Sequence, residues 1–153
     1  MSGRESGARA RLRKHPLRLL CVEDNSTVRK MIDLMLAATG IDVDFADNGQ
    51  AAVEAYQTTE YDAVVMDMEM PARAGLKTAR EIRQMEDGFK LGYTPILFLS
   101  GRHDEDHVDQ GVEAGGDGHL MKPFTSEALL GALDRVLRTG NRMGLQGTLR
   151  AAR

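Results

Sequence analysis

From residue 17 onward, short apolar runs alternate with segments whose apolar positions recur every three or four residues. The run LRLLCVED (17–24) has the length and content of a buried strand. Asn25 or Ser26 can cap the helix that follows, with Val28, Met31, Ile32, Met35 and Leu36 on one face and Gly40 as its stop. IDVDFA (41–46) alternates like a strand, and NGQAAVEAYQ (48–57) reads as a short alanine-rich helix. YDAVVMD (61–67) is apolar enough to be covered on both faces. A third helix is predicted over 75–85, with Leu76, Ala79 and Ile82 on one side. The looser stretch EDGFKLGYT then leads through Pro95 into PILFLS (95–100), the strongest strand pattern in the chain. The fourth helix, roughly 104–114, is polar and contains Gly111, which predicts the least stable of the five. DGHLM (117–121) is the last strand, and Thr125 or Ser126 opens a helix with Leu129, Leu130, Leu133, Val136 and Leu137 facing inward.

Five strand–helix units in alternation imply right-handed crossovers and a parallel sheet covered on both faces. They fit an α/β, flavodoxin-like doubly wound (βα)5 fold with a five-stranded parallel sheet of order 2-1-3-4-5, which binds ligands outside the carboxyl ends of its strands. Residues just past a strand therefore become candidates: Glu23 and Asp24, Asp67, Ser100 and Lys122.

Length and composition suit one soluble domain: 153 residues, 42% hydrophobic and 28% charged, without a run of apolar residues long enough to span a bilayer. The basic first fifteen residues lack the apolar stretch of a secretory signal, so the chain is expected in the cytoplasm, without a membrane partner. Cys21, the single cysteine, reads as a buried small hydrophobe. Charge divides the chain more sharply. Residues 1–15 carry +4 and residues 139–153 carry +3, which leaves −10 on 16–138 within a net charge of −3. The expected organisation is a flexible basic tail (1–15), a domain (16–138) and a second flexible basic tail (139–153). An acidic body argues against specific nucleic-acid binding, although arginines in the tails could touch phosphates nonspecifically.

Three carboxylates converging on one sheet edge would repel one another unless a cation shares the site. A hard divalent cation answers this, because magnesium takes about six oxygens, one or two of them from carboxylates. Asp24 and Asp67 would ligate it directly, and Glu23 directly or through water. Ser100 offers a hydroxyl and Lys122 an ammonium to the same space. A nucleophilic carboxylate, a metal, a hydroxyl and a lysine are the parts needed to move a phosphoryl group, with Asp67 as the nucleophile. Singly, each has a plain structural counterpart: a capping acid pair, a turn serine, a surface lysine beside Pro123. Their joint placement on one edge is what points to chemistry.

The order VED (22–24), VVMDMEMP (64–71) with Gly75, LFLSG (97–101) and LMKPF (120–124) resembles the receiver domain of bacterial response regulators, the CheY-like family, over roughly residues 17–138. The resemblance implies that Glu23 and Asp24 are the acid pair, Asp67 the phosphorylated aspartate, Ser100 the switch hydroxyl and Lys122 the phosphate-binding lysine. It implies a Mg²⁺ site made of Glu23, Asp24, Asp67 and the backbone carbonyl of Glu69. It places His119 at the aromatic switch position, Glu69 and Arg102 at the positions that tune phosphate lifetime, and a cis bond at Lys122–Pro123. A histidine kinase or histidine phosphotransfer protein would donate the phosphoryl group, and the domain would catalyse that transfer and its hydrolysis without being a turnover enzyme. The face formed by the fourth helix, fifth strand and fifth helix would meet a downstream protein, and a homodimer through the same face is left open. VVMDMEMP and TAREIR (78–83) look like receivers of hybrid kinases and phosphorelays. The starting methionine and basic flanks favour a single-domain response regulator over a receiver cut from a hybrid kinase.

The chain departs from the family pattern at three places. After Met70–Pro71 the family usually has a residue, Met, Asp and Gly, whereas this chain reads Ala72, Arg73, Ala74 and Gly75. His119 is smaller than tyrosine and titrates near neutrality, which predicts weaker or pH-dependent coupling to Ser100. Glu69 and Arg102 are expected to pair across the site mouth. Two other function classes remain open. A phosphohydrolase of the haloacid dehalogenase type also uses an aspartate after a strand, but its signature lies on the first strand of its core, whereas Asp67 follows the third. A receiver-like module could instead bind a phosphate-bearing ligand such as a cyclic dinucleotide through Arg9, Arg11, Arg13, Arg142, Arg150 and Arg153, which have no aromatic platforms between them.

Overall fold

The computed structural model describes residues 16–138 apart from Lys90 and His103. Both basic segments, with every arginine considered above for a phosphate-bearing ligand, lie outside the described residues. Five strands, β1 (Arg18–Val22), β2 (Asp42–Ala46), β3 (Ala63–Asp67), β4 (Ile96–Ser100) and β5 (Gly118–Met121), form one sheet of order β2-β1-β3-β4-β5 with every pairing parallel. The helices are α1 (Ser26–Leu36), α2 (Gly49–Thr58), α3 (Ala74–Gly88), α4 (Glu105–Glu113) and α5 (126–138). Strand order reverses between β1 and β3, so Val22 and Asp67 end side by side at the point where such sheets open a crevice.

Period-two alternation in each buried strand builds two cores. Leu20, Val22, Val64, Met66, Ile96 and Phe98 face α2 and α3, where Ala52, Leu76, Ala79 and Ile82 are buried. Leu19, Cys21, Val65, Leu97 and Leu99 face α1 and α5, where Ile32, Leu36, Leu129, Leu133 and Val136 are buried. Cys21 is fully buried and its thiol is pushed well above the ordinary range by that burial, so it behaves as the small hydrophobe expected.

The caps expected at Asn25 and Thr125 form, and Asn48 and Asp104 cap α2 and α4 as well. Asn25 accepts the amides of Thr27 and Val28, Asn48 that of Ala51, Asp104 that of His107, and Thr125 that of Ala128. Helix α1 ends at Leu36 and the chain turns through Gly40 at φ +79° before β2. One boundary differs in an informative way. The looser stretch predicted from Glu86 begins as helix, because α3 continues to Gly88. Glu86 is buried there and accepts Tyr56 Oη (2.8 Å), the Thr94 amide (2.7 Å) and Arg83 Nη1 (2.7 Å). Arg83 also donates to the carbonyls of Gly115 and Thr94 and to Asp117, and stacks on the Tyr93 ring at 4.1 Å. This network ties α2, α3, β4 and β5 together at the amino edge of the sheet, opposite the candidate site.

Two glycines let elements approach closely. A Cβ on Gly75 would lie 2.2 Å from the Asp67 carbonyl oxygen, so only glycine lets α3 start against the end of β3. In α4 a Cβ on Gly111 would meet Met68 Cε and Phe98 Cδ2, both at 3.1 Å. Gly111 is also the only buried residue of α4, in keeping with the weak helix expected there.

Gly75→Ala should lower stability by about 2–3 kcal/mol in urea denaturation, since the clash is with backbone rather than a movable side chain. Gly88→Ala, which meets nothing within 4 Å, should be close to neutral. Equal effects at the two positions would disprove the close-approach account.

All three tyrosines of the chain have raised pKa values. Burial is the main cause in each, reinforced by a carboxylate acceptor: Glu86 for Tyr56, Asp117 for Tyr93 and Asp44 for Tyr61, which is pushed up to about 12. An unfolded chain gives up these protons near the ordinary value of 10, so the folded state holds more protons above it. The stability they contribute is complete below pH 10 and is lost as pH rises through the folded values. Phenolate absorbance should therefore stay flat to about pH 11 and rise only with unfolding. A smooth titration of folded protein centred near 10 would contradict this packing.

Candidate functional site

The parallel ladders do not stop at the strand ends, and this places the site. The Glu23 amide donates to Ala46 O (2.9 Å), the Met68 amide to Leu99 O (2.8 Å) and the Lys122 amide to Ser100 O (2.8 Å). Each residue after a strand is thus held by the neighbouring strand. Glu23, Asp24, Asp67, Ser100 and Lys122, predicted separately, meet at one edge.

Glu23 and Asp67 are buried and Asp24 is exposed, with a carboxylate oxygen from each within 4.8 Å of the others. Lys122 Nζ donates to Asp67 Oδ1 at 2.9 Å and lies 3.6 Å from Glu23 Oε1 and 3.7 Å from Glu69 Oε1. Asp67 Oδ1 also accepts the Glu69 amide at 3.0 Å. Burial first, then the close Asp67 carboxylate, pushes Glu23 up to about 7. Lys122 shows the opposite balance. Burial pulls its ammonium down, but the Asp67 hydrogen bond and the charges of Asp67, Glu23 and Glu69 outweigh this and leave its pKa above the ordinary lysine value.

These residues fit a divalent cation. Glu23 Oε1 is buried without a hydrogen-bond partner, and one ammonium does not balance the negative charge gathered around it. An oxygen-only donor set of Glu23, Asp24 and Asp67 suits a hard ion of the magnesium type.

Ser100 is fully buried, and its hydroxyl lies 2.6 Å from Glu69 Oε2 and 2.7 Å from Arg102 O. Glu69 Oε1 accepts the Gly101 amide at 2.7 Å. The expected Glu69–Arg102 ion pair is therefore not formed: Glu69 turns inward to these donors, while Arg102 faces solvent beside Asp104 at 3.4 Å. His119 Nε2 lies 3.3 Å from Arg102 O, the same carbonyl that the Ser100 hydroxyl approaches at 2.7 Å. Ala72 and Arg73 both take left-handed conformations, at φ 57°, a cost of about 1 kcal/mol for each non-glycine residue, and Arg73 is exposed beside the site. Lys122–Pro123 is cis. Supports with no distinctive sequence signal also appear. The Asn25 amide donates to Glu23 Oε2 (3.1 Å), and Arg29 Nη1 donates to Glu23 O (2.7 Å). Asn25 was legible only as a cap, and Arg29 only as an exposed helix charge.

The model of the response regulator receiver domain family matches residues 19–134. The chain belongs to this family. Receiver domains are signalling modules of two-component systems, and this one has their fold. It is 35% identical over 123 residues to the response regulator MprA of Mycolicibacterium vanbaalenii, covering 80% of this chain and 51% of that protein. It is 32% identical over 136 residues to the probable transcriptional regulatory protein SilR of Salmonella typhimurium, covering 89% and 58%. The chain thus spans only about half the length of such curated relatives. Among solved structures, the chemotaxis protein CheY4 of Vibrio cholerae superposes with a TM-score of 0.72 at 31% identity, over 79% of this chain and 98% of that one. The receiver domain of the sensor histidine kinase PA1611 of Pseudomonas aeruginosa gives 0.70 at 31% identity, over 80% and 98%, and holds a magnesium ion in its active site cleft. No helix among the described residues of this receiver is long and apolar enough to cross a membrane.

Lys122→Met should lower the stability of the cation-free receiver by about 2 kcal/mol, because it leaves buried carboxylates without their counter-charge. Millimolar Mg²⁺ should narrow that difference by binding the more negative site. A loss unchanged by the cation would show that Lys122 does not offset these carboxylates.

Proposed function

We propose that this receiver is a phosphoacceptor: Asp67 takes a phosphoryl group from a phosphohistidine on a histidine kinase or histidine phosphotransfer protein, and the modified domain changes its affinity for a downstream protein. The observation that carries this reading is the Lys122 ammonium 2.9 Å from Asp67 beside the Glu23–Asp24–Asp67 cluster, at the carboxyl edge of the sheet. In the transfer, an Asp67 carboxylate oxygen forms the new P–O bond as the P–N bond of the donor breaks. The electron pair of that bond leaves with the imidazole, which takes up a proton from water.

The chain's own residues divide the work. The Glu69 amide and Lys122 orient the Asp67 carboxylate through Oδ1. Lys122, kept protonated by its acidic surroundings, moves from carboxylate to phosphoryl oxygen. Ser100 donates its hydroxyl to another phosphoryl oxygen, which draws the loop before α4 inward. Glu23, Asp24, Asp67 and the carbonyl of Glu69 would hold Mg²⁺. Bound there, Mg²⁺ supplies the charge neutralisation that lets a phosphoryl anion approach a carboxylate.

Output follows from the loose anchoring of α4. Val112 and Met121 are exposed on the α4–β5 side, next to a cavity of about 200 Å³ lined by Val108, Gly111, Val112 and His119. In this reading residues 16–138 are the receiver, flanked by basic segments, and its α4–β5–α5 face makes the downstream contact, as in a single-domain regulator of the cytoplasm.

Intact-mass spectrometry after incubation with acetyl phosphate or phosphoramidate and Mg²⁺ tests the reading. One phosphoryl group should appear, and should be absent from Asp67→Asn and from samples with excess chelator. Equal labelling of Asp67→Asn would overturn it.

A further inference from the structure

Glu69 makes contacts that a lifetime-tuning position at the rim of the site does not require. Its Oε2 lies 2.6 Å from the Ser100 hydroxyl, its Oε1 accepts the Gly101 amide at 2.7 Å, and the same Oε1 is 3.7 Å from Lys122 Nζ. One carboxylate therefore engages the hydroxyl, the adjoining amide and the ammonium at once. These groups converge on a single anion, and the ammonium among them also donates to Asp67 Oδ1 at 2.9 Å.

We propose that Glu69 is an internal anion that occupies the donors a phosphoryl group on Asp67 would use, so that activation requires its displacement; the proposal rests on the phosphoacceptor reading. The Ser100 hydroxyl carries one proton and has two acceptors in range, Glu69 Oε2 and Arg102 O. The charged acceptor makes the stronger bond and takes the proton. Ser100 is fully buried with Glu69 in place, so its hydroxyl meets protein acceptors rather than water, and Glu69 is the charged one of the two.

The geometry also provides for release. The Glu69 backbone is tied through its amide to Asp67 Oδ1, whereas its side chain is 37% exposed and can swing into solvent without moving the chain. A phosphoryl group on Asp67 would bring about two negative charges to within a few ångströms of the Glu69 carboxylate. Like charges competing for the same donors cannot both stay, and the doubly charged group covalently bound at Asp67 wins. The loop from Ser100 to Arg102 is thereby exchanged from a carboxylate on the β3 side to the phosphoryl group. Glu69 acts here as a positioning residue that sets how readily the receiver switches.

The test uses beryllium trifluoride, a non-covalent phosphoryl analogue, with saturating Mg²⁺, on the full chain and on Glu69→Ala and Glu69→Gln. Binding is followed through the backbone amide resonances of Ser100 and Gly101. Before any ligand is added, the Gly101 amide should shift in both variants as it loses its charged acceptor. The half-saturating concentration should fall about tenfold in Glu69→Ala and by less in Glu69→Gln, the scale of one or two charge-assisted hydrogen bonds to a partly exposed group. In a Ser100→Ala background the gain from Glu69→Ala should shrink. A carboxylate that merely caps the turn would lower the melting temperature and leave half-saturation unchanged, and that result overturns the proposal alone. Failure of the unmodified chain to bind the analogue would overturn the phosphoacceptor reading, and this inference with it.

Discussion

Carboxylates brought within 4.8 Å of one another, as those of Glu23, Asp24 and Asp67 are, repel one another, and more so where they are buried. The parallel ladder forces them together all the same, because each follows a strand whose neighbour holds the next amide in register. Lys122 relieves part of the strain from the far side of β4, and Glu23 relieves part by holding its proton up to about 7. What is left over is a standing demand for positive charge. Here that demand makes the carboxyl edge a place that fits a divalent cation.

The two ends of the sheet are built for different duties. At the amino edge, Arg83, Glu86, Asp117, Thr94 and two tyrosines satisfy one another completely and link α2, α3, β4 and β5. Such a network rigidifies because removing any member leaves buried partners unmet. At the carboxyl edge the charges are incompletely matched, Glu23 Oε1 lacks a hydrogen-bond partner, and α4 buries little beyond Gly111. The carboxyl edge is thus the less tightly satisfied end of the sheet.

The departures from the family pattern cluster around that same end. Ala72 and Arg73 carry left-handed backbone in the turn after Asp67, held by the close contact of Gly75 with the Asp67 carbonyl. His119 Nε2 and the Ser100 hydroxyl both approach the carbonyl of Arg102. Glu69 reaches into the site instead of pairing with Arg102 at its rim. The acid two residues past Asp67 thus meets a buried hydroxyl and the adjoining amide rather than only the surface beside the site.

Much of the receiver is legible in its sequence because its determinants are local. Apolar runs of strand length, helical spacing in α1, α3 and α5, and Asn or Asp at the caps each act within a few residues. The rule that ligands meet the carboxyl ends of parallel strands then carries Glu23, Asp24, Asp67, Ser100 and Lys122 to one place without coordinates. Other features depend on partners far along the chain. The helix over Glu86 to Gly88 is not legible locally, since the residues that hold the Glu86 carboxylate, Tyr56 and Thr94, come from α2 and the segment before β4. The direction of Glu69 is likewise hidden, because opposite charge favours Arg102 on paper while the buried Ser100 hydroxyl and the Gly101 amide offer a carboxylate more in space. Local sequence determined which elements form and which residues reach the edge; only tertiary packing decided which donors each carboxylate meets there, because hydrogen-bond competition in a buried site is settled by distance and desolvation rather than by order along the chain.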